Sequence, residues 1–181
     1  MKLIEFDGLE FKVADEAFLV RQIRELFQKD KSKKKEDFWR QMSYLWFMCD
    51  PRSSYMYITY ESERSYEITA QAGFDVDWEP SDLLKEAMDI YKKQSVTTSS
   101  ILLEGMRKGI DKLSKFLSEF NLNEVDKNGR PIYQVSTMTS ALKQVPELAK
   151  ALLEAEKSLA KDFATDDKAR GTAEKAVGED I

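Results

Sequence analysis

The chain has 181 residues, enough for one ordinary domain with a real core, and carries 28 lysines and arginines against 33 acids, a net charge of −5. Apolar residues at 42%, charged residues at 34%, four prolines and seven glycines favour long helices over many-turned β structure. One cysteine excludes an internal disulfide framework, no run of 18 apolar residues exists to span a membrane, and the absence of histidine removes the usual general base and the commonest metal ligand.

The start of the chain, Met1-Lys2 and then alternating residues with acids among them, is unlike a secretory leader, so synthesis in a reducing cytoplasm is expected. Leu9, Phe11 and Val13 alternate with polar residues, and Asp7-Gly8 supplies the positive φ of a two-residue turn. This predicts a short N-terminal β-hairpin. Asp15 is placed to cap a helix to about Gln28, with Phe18, Leu19, Ile23, Leu26 and Phe27 on its apolar face. Lys29 to Lys35, five lysines and one aspartate, reads as an exposed loop.

A helix from about Glu36 to Met48 follows, carrying Phe38, Trp39, Met42, Leu45 and Trp46 and stopping at Asp50-Pro51. It opens the densest stretch of the chain: Phe38 to Tyr60 holds eight of the 20 aromatic residues. Cys49 within it reads as a buried inert thiol. Asp50-Pro51-Arg52 interrupts the block. Pro51 biases Asp50 to an extended shape, free to bond local backbone or to pair with Arg52 or another chain. The readings are a helix-terminating turn or a subunit contact, where Arg and Tyr are enriched; the interface candidates are Asp50, Arg52, Tyr55 and Tyr57. Tyr55 to Tyr60 alternates and fits a short strand or a further helix, and Gly73 ends what precedes it.

Glu61 to Asp82 contains seven acids (Glu61, Glu63, Glu67, Asp75, Asp77, Glu79 and Asp82) against Arg64 alone. With the lysine run, this polarity fits a molecule with two electrostatically different faces, although each patch alone reads as solvated surface. Asp75, Asp77 and Glu79 alternate about Val76 and Trp78, as on a solvated strand edge rather than a cation site.

Ser81 caps a helix to about Lys93, with Asp82 in its first turn. The clearest helix is about Thr98 to Phe120, whose stripe is Leu102, Met106, Ile110, Leu113, Leu117 and Phe120. Within it, Gly105 and Gly109 match the small-xxx-small spacing of a close helix crossing, or are incidental. Asn128-Gly129 marks a turn, with a second hairpin possible near 122–135; Gly129 falls too early for a calcium loop starting at Asp126. Pro146 fits the first position of a final helix, about 146 to 163, faced by Leu148, Leu152, Leu159 and Phe163. Residues 164–181 hold only Val177 and Ile181 as sizeable apolar residues and are expected to be irregular until a partner orders them. The expected architecture is mainly α: a helical body over 1–163 and an extended C-terminal arm over 164–181.

There is no phosphate loop, dinucleotide fingerprint, paired-cysteine zinc pattern or serine nucleophile elbow. No cofactor or metal is expected, and carboxylate, lysine or tyrosine chemistry is all that is left to an enzyme. The lysine run fits nonspecific contact with a phosphate backbone or an acidic neighbour.

The aromatics from Tyr44, the segment from Cys49 to Tyr60, and the charged Glu61-Ser62-Glu63-Arg64 resemble small virion proteins of crAss-like tailed bacteriophages, in particular the ring proteins that join the portal vertex to the tail barrel. The specific part covers about one tenth of the chain. The rest is similar in layout alone, and no functional residues are carried over. The resemblance implies a structural, non-enzymatic protein of the virion, in a homo-oligomeric ring of twelve copies, with the portal and other tail or ring proteins as partners and genomic DNA passing through the centre. It implies a C-terminal segment that docks on a neighbour, making Val177 and Ile181 further interface candidates. Glu61, Glu63, Glu67, Asp75, Asp77 and Glu79 are then expected to face the DNA channel or its rim. The alternatives are a small phage-encoded regulatory or nucleic-acid-associated protein and, more remotely, an enzyme without histidine.

Overall fold

The structure is a computed structural model; it describes residues 3–6, 11–75, 77–119, 121, 124–129 and 135–178, the side chains of Phe6 and 166–178 excepted. The chain is mainly α with a short N-terminal antiparallel hairpin, and it divides into two compact units, Met1–Thr97 and Thr98–Ile181.

In the first unit, β1 (Ile4–Phe6) pairs with β2 (Phe11–Val13) in the register Ile4–Val13, Glu5–Lys12 and Phe6–Phe11. The hairpin is where the alternation places it; its turn at Asp7-Gly8 lies outside the described residues. The single helix expected from Asp15 is instead two pieces. A 3-10 turn covers Asp15–Leu19, and α1 covers Arg21–Lys29. Asp15 caps nothing: Ala14 holds the N-cap position, and Val20 is extended between the two pieces. Val20 is β-branched and loses side-chain freedom in a helix, so a break there costs little.

The hub is α2 (Glu36–Cys49), half of whose 14 residues are buried. It packs against α3 (Glu61–Gln71), α4 (Asp82–Ser95), β2 and a 3-10 turn at Ser54–Tyr57, while α1 packs on α4. The core joins Phe38, Met42, Tyr44, Leu45 and Trp46 of α2 to Ile23 and Leu26 of α1, Ile68 of α3, and Leu84, Ala87 and Tyr91 of α4. Edge-to-face ring contacts run through it: Phe27 on Phe38, Phe11 on Trp46 and Phe47, Phe47 on Tyr55, and Trp78 on Tyr44. Such pairs add about 0.5–1.5 kcal/mol each beyond the area they bury. Trp39, expected in the core face, is 38% exposed. Gly73, at φ +65°, ends the α3 segment with a conformation that favours glycine. Ser81 caps α4 as expected, its Oγ accepting from the Leu84 amide at 3.3 Å.

The second unit is built on two long helices, α5 (Thr98–Glu119) and α6 (Val135–Gly178), packed on each other. Among the described residues, its buried seam consists of Leu103, Ala155 and Leu159, with Met106, Leu152 and Phe163 against it. The stripe expected on α5 is therefore rotated by one residue at its start: Leu103 is buried and Leu102 is 58% exposed. Gly105 and Gly109 mark no close crossing, since a Cβ at either position would meet nothing within 4 Å. Pro146 does not open the last helix. It lies inside α6, which begins at Val135. Strong helix formers on both sides (Ala141, Leu142 and Lys143 before; Glu147, Leu148 and Ala149 after) carry the helix through, at the cost of one hydrogen bond to the Leu142 carbonyl. Nor is the C-terminal arm extended: the backbone is helical to Gly178. The second hairpin expected near 122–135 lies largely outside the described residues. What is described is a turn in which Asp126 Oδ1 accepts from the Asn128 amide at 2.8 Å and Gly129 takes φ +75°.

Candidate functional site

The aromatic block ends in a buried polar node. At the C-terminal end of α2, Asp50 is 1% exposed and accepts from every side. Its Oδ1 takes the Arg52 backbone amide at 2.9 Å and Arg52 Nε at 2.8 Å; its Oδ2 takes Arg52 Nη2 at 2.7 Å and the Tyr91 hydroxyl at 2.6 Å. Pro51 explains this local shape. It forces Asp50 out of the helix, so the carboxylate folds back over the two following residues. Burial, and then the adjacent carboxylate, push the Tyr91 phenol well above its ordinary pKa, so it remains a donor. The hydrogen bonds that Arg52 donates to Asp50 likewise raise its guanidinium pKa. Asp50 and Arg52, read as a helix-terminating turn or a subunit contact, pair with each other at the end of α2, and Arg52 keeps part of its surface open. Cys49 is the buried inert thiol expected, its pKa pushed up to about 12 by burial.

Beside this node, Arg64 of α3 is 4% exposed. Its Nη2 and Nε donate to the Ile58 carbonyl at 2.7 and 3.0 Å, and its Nη1 donates to the Met48 carbonyl at 3.2 Å. It joins the last turn of α2 to the stretch leading into α3. Ser53 completes the turn, donating from Oγ to the Phe47 carbonyl at 2.8 Å and accepting from the Tyr55 amide at 3.2 Å.

This internal framework presents a shallow groove of about 590 Å³ lined by Tyr57, Ile58, Ser62, Glu63, Tyr66 and Glu67. Tyr57 is 68% exposed and Tyr66 72%. Tyr55 differs: it is half-buried, and its hydroxyl donates to Gln71 Oε1. Of the interface tyrosines, Tyr57 is thus at the surface and Tyr55 holds the 3-10 turn against α3. A second hollow, of about 370 Å³, is lined by Phe11, Trp39, Arg40 and Ser43. Val177 lies on the last turns of α6, where side chains are not described, and Ile181 lies outside the described residues.

The acids expected in a channel are all exposed: Glu61, Glu63 and Glu67 on α3, and Asp75, Asp77 and Glu79 in the α3–α4 connection, which forms no strand among its described residues. Glu61 is paired, accepting from Lys92 Nζ of α4 at 2.8 Å. Glu63 and Glu67 border the tyrosine groove.

The lysine loop is more ordered than a charge run implies. Asp30 is buried beneath it, accepting from the Ser32 amide at 2.7 Å and from the Phe38 amide at 3.0 Å. The second bond caps α2 from outside the helix, and with the first it holds the Asp30 carboxyl below its usual range. Ser32 Oγ takes the Glu36 amide at 2.9 Å. Lys35 has φ +54°, uncommon for a residue with a side chain, and is held there by its amine, which donates to the Phe27 and Asp30 carbonyls at 3.1 and 2.5 Å and lies over the Phe27 ring. Lys33 and Lys34 are exposed at the corner.

Sequence reasoning missed Asp30 and Arg64. One signal was available: each is the single opposite charge in a run of like charges, the kind of residue that burial with partners explains. Among the described residues no cluster of three or more potential ligands is placed to hold a metal, and no helix is long and apolar enough to cross a membrane. No family model, curated protein or solved structure matches the chain.

Proposed function

We propose that the chain is a structural assembly protein, a ring subunit of the head-to-tail connector of a tailed phage, with a central channel for DNA. The observation that carries the assembly reading is the imbalance of the second unit. Its seam buries Leu103, Ala155 and Leu159, while Ile101 and Leu102 of α5 and Leu142, Val145 and Leu153 of α6 are exposed. A helical hairpin with so small a core and so many exposed aliphatics is the kind of element that neighbours complete. The resemblance around Cys49 to Arg64 supplies the virion setting and the copy number of twelve. The exposed acids of the α3–α4 connection, Asp75, Asp77 and Glu79, are suited to a wall along which DNA slides rather than sticks.

The test is native mass measurement of the full chain, with images of the particle. A closed ring, twelvefold in the simplest case, is expected. Deletion of residues 164–181 is expected to leave a folded monomer that no longer assembles. A full chain that stays monomeric at every concentration overturns the reading.

The exposed Lys29, Lys31, Lys33 and Lys34 favour a nucleic-acid-associated role as the second reading. Tight, strongly salt-dependent binding of DNA by a monomer is its mark.

A further inference from the structure

We propose that the tyrosine–glutamate groove of one copy receives the Lys33–Lys34 corner of the next, a head-to-tail contact; this rests on the ring reading and names the surfaces that would close it.

The first observation is the sorting of charge. In the loop between α1 and α2, the one acid, Asp30, is buried, and Lys33 and Lys34 are exposed at the corner. In the acidic run the one cation, Arg64, is buried beneath the groove wall, and Glu63 and Glu67 are exposed. The corner itself therefore exposes lysines, with Glu36 and Asp37 following in the first turn of α2, and the groove exposes acids, so the two facing patches are opposite in sign. Complementary charges of this kind steer and register a contact.

The second observation is placement. The lysine corner precedes the N-terminal end of α2; the groove is built where the chain leaves its C-terminal end. The fourteen residues of α2, about 21 Å at 1.5 Å per residue, run from the corner to the point where the chain leaves the helix, and α3, which carries Glu63, Tyr66 and Glu67, returns beside α2 as far as Tyr44, whose hydroxyl meets Ser65. Both belong to the first unit, and the groove lining includes no residue of the corner, so the patches are separate places on one body. Two complementary patches at separate places on one body are what a heterologous contact requires, and such contacts close into rings when the rotation permits.

The third is chemistry and order. The corner is held by the Asp30, Ser32 and Lys35 bonds, so little backbone freedom is lost when it docks. The exposed rings of Tyr57 and Tyr66 accept the aliphatic stems and the ammonium charge, while Glu63 and Glu67 pair with the tips.

The experiment is a charge swap in the full chain, read by light scattering at about 150 mM salt, where long-range exposed charges are screened within ~8 Å. One variant carries Glu63→Lys and Glu67→Lys; the other carries Lys33→Glu and Lys34→Glu. All four positions are exposed, and unchanged tryptophan emission checks the fold. Each variant alone is expected to fall at least tenfold in association, and an equimolar mixture to recover it. A third variant, Tyr57→Ala with Tyr66→Ala, is expected to weaken association without altering charge. Variants that still form the wild-type ring overturn the contact and leave the ring reading standing, and a mixture that fails to recover association also overturns the contact. A wild-type chain that never associates overturns both.

Discussion

The two units solve the problem of a helical core in opposite ways. The first surrounds one helix, α2, with three others, a hairpin and a 3-10 turn, and fastens its ends with buried charges: Asp30 at the start, Asp50 and Arg64 at the finish. The second, among its described residues, has one seam between two helices, with the Arg107 to Glu156 ion pair at 3.0 Å tying α5 to α6. The first therefore encloses its core on several sides, and the second, among its described residues, buries a single narrow seam. Buried ionic contacts add specificity where enclosure already exists, and their removal leaves an orphaned charge or carbonyl. A two-helix seam has no enclosure to specify.

The three tryptophans, Trp39, Trp46 and Trp78, all lie in the first unit, so their emission reports that unit while helicity reports both. The largest effect is predicted for Asp50→Ala or Arg64→Ala, each lowering the stability of the first unit by about 3 kcal/mol or more. Thermal unfolding followed by tryptophan emission should show the loss, with α5 and α6 helicity surviving it. If both signals melt together, the two units are one cooperative body and the contrast fails. Leu103→Ala should cost about 2–3 kcal/mol through a cavity in the thin seam. It should lower the helical signal while leaving tryptophan emission in place. Ser81→Ala, which removes the cap of α4, should cost about 1 kcal/mol and act on the first unit alone.

The last prediction is the subtlest. Asp30 has a lowered pKa in the folded state, so the stability it contributes is complete above the unfolded carboxylate value near 4 and is lost as pH falls through the lower folded value. An acid titration of the first unit should therefore steepen below about pH 4, and Asp30→Asn should flatten that portion.

Local signals were legible in the chain, and long-range ones were not. The stop of α2 at Pro51, the Ser81 cap and the N-terminal hairpin each depend on residues a few positions apart, and each stands where the sequence puts it. The start of α1 was misplaced because Asp15 looks like a cap whether or not the chain extends at Val20. Pro146 looked like a helix start because its effect on the preceding turn is local, whereas the helix formers on both sides outweigh one lost bond. The buried face of α5 is decided by α6, some 50 residues away, so the choice between Leu102 and Leu103 could not be read from spacing. The node at Asp50 was half legible: the turn and the Arg52 pairing follow from Pro51, but Tyr91, 41 positions later, does not. The groove tyrosines were singled out only in part, since Tyr57 was named and Tyr66 was not.

The bond from Tyr91 to Asp50 also has a meaning in time. On a growing chain made at about 5–20 residues per second, Tyr91 appears roughly 2–8 s after Asp50. Through that interval α2 has its apolar residues and its Asp50 carboxylate in place, with α4 still to come. The helix that brings the tyrosine also brings Leu84, Ala87 and Met88 to the same core, so the carboxylate gains its last partner in the step that covers α2. A polar contact set so late in the order of synthesis ties burial of the charge to completion of the unit, before the 84 residues of the second unit have been added.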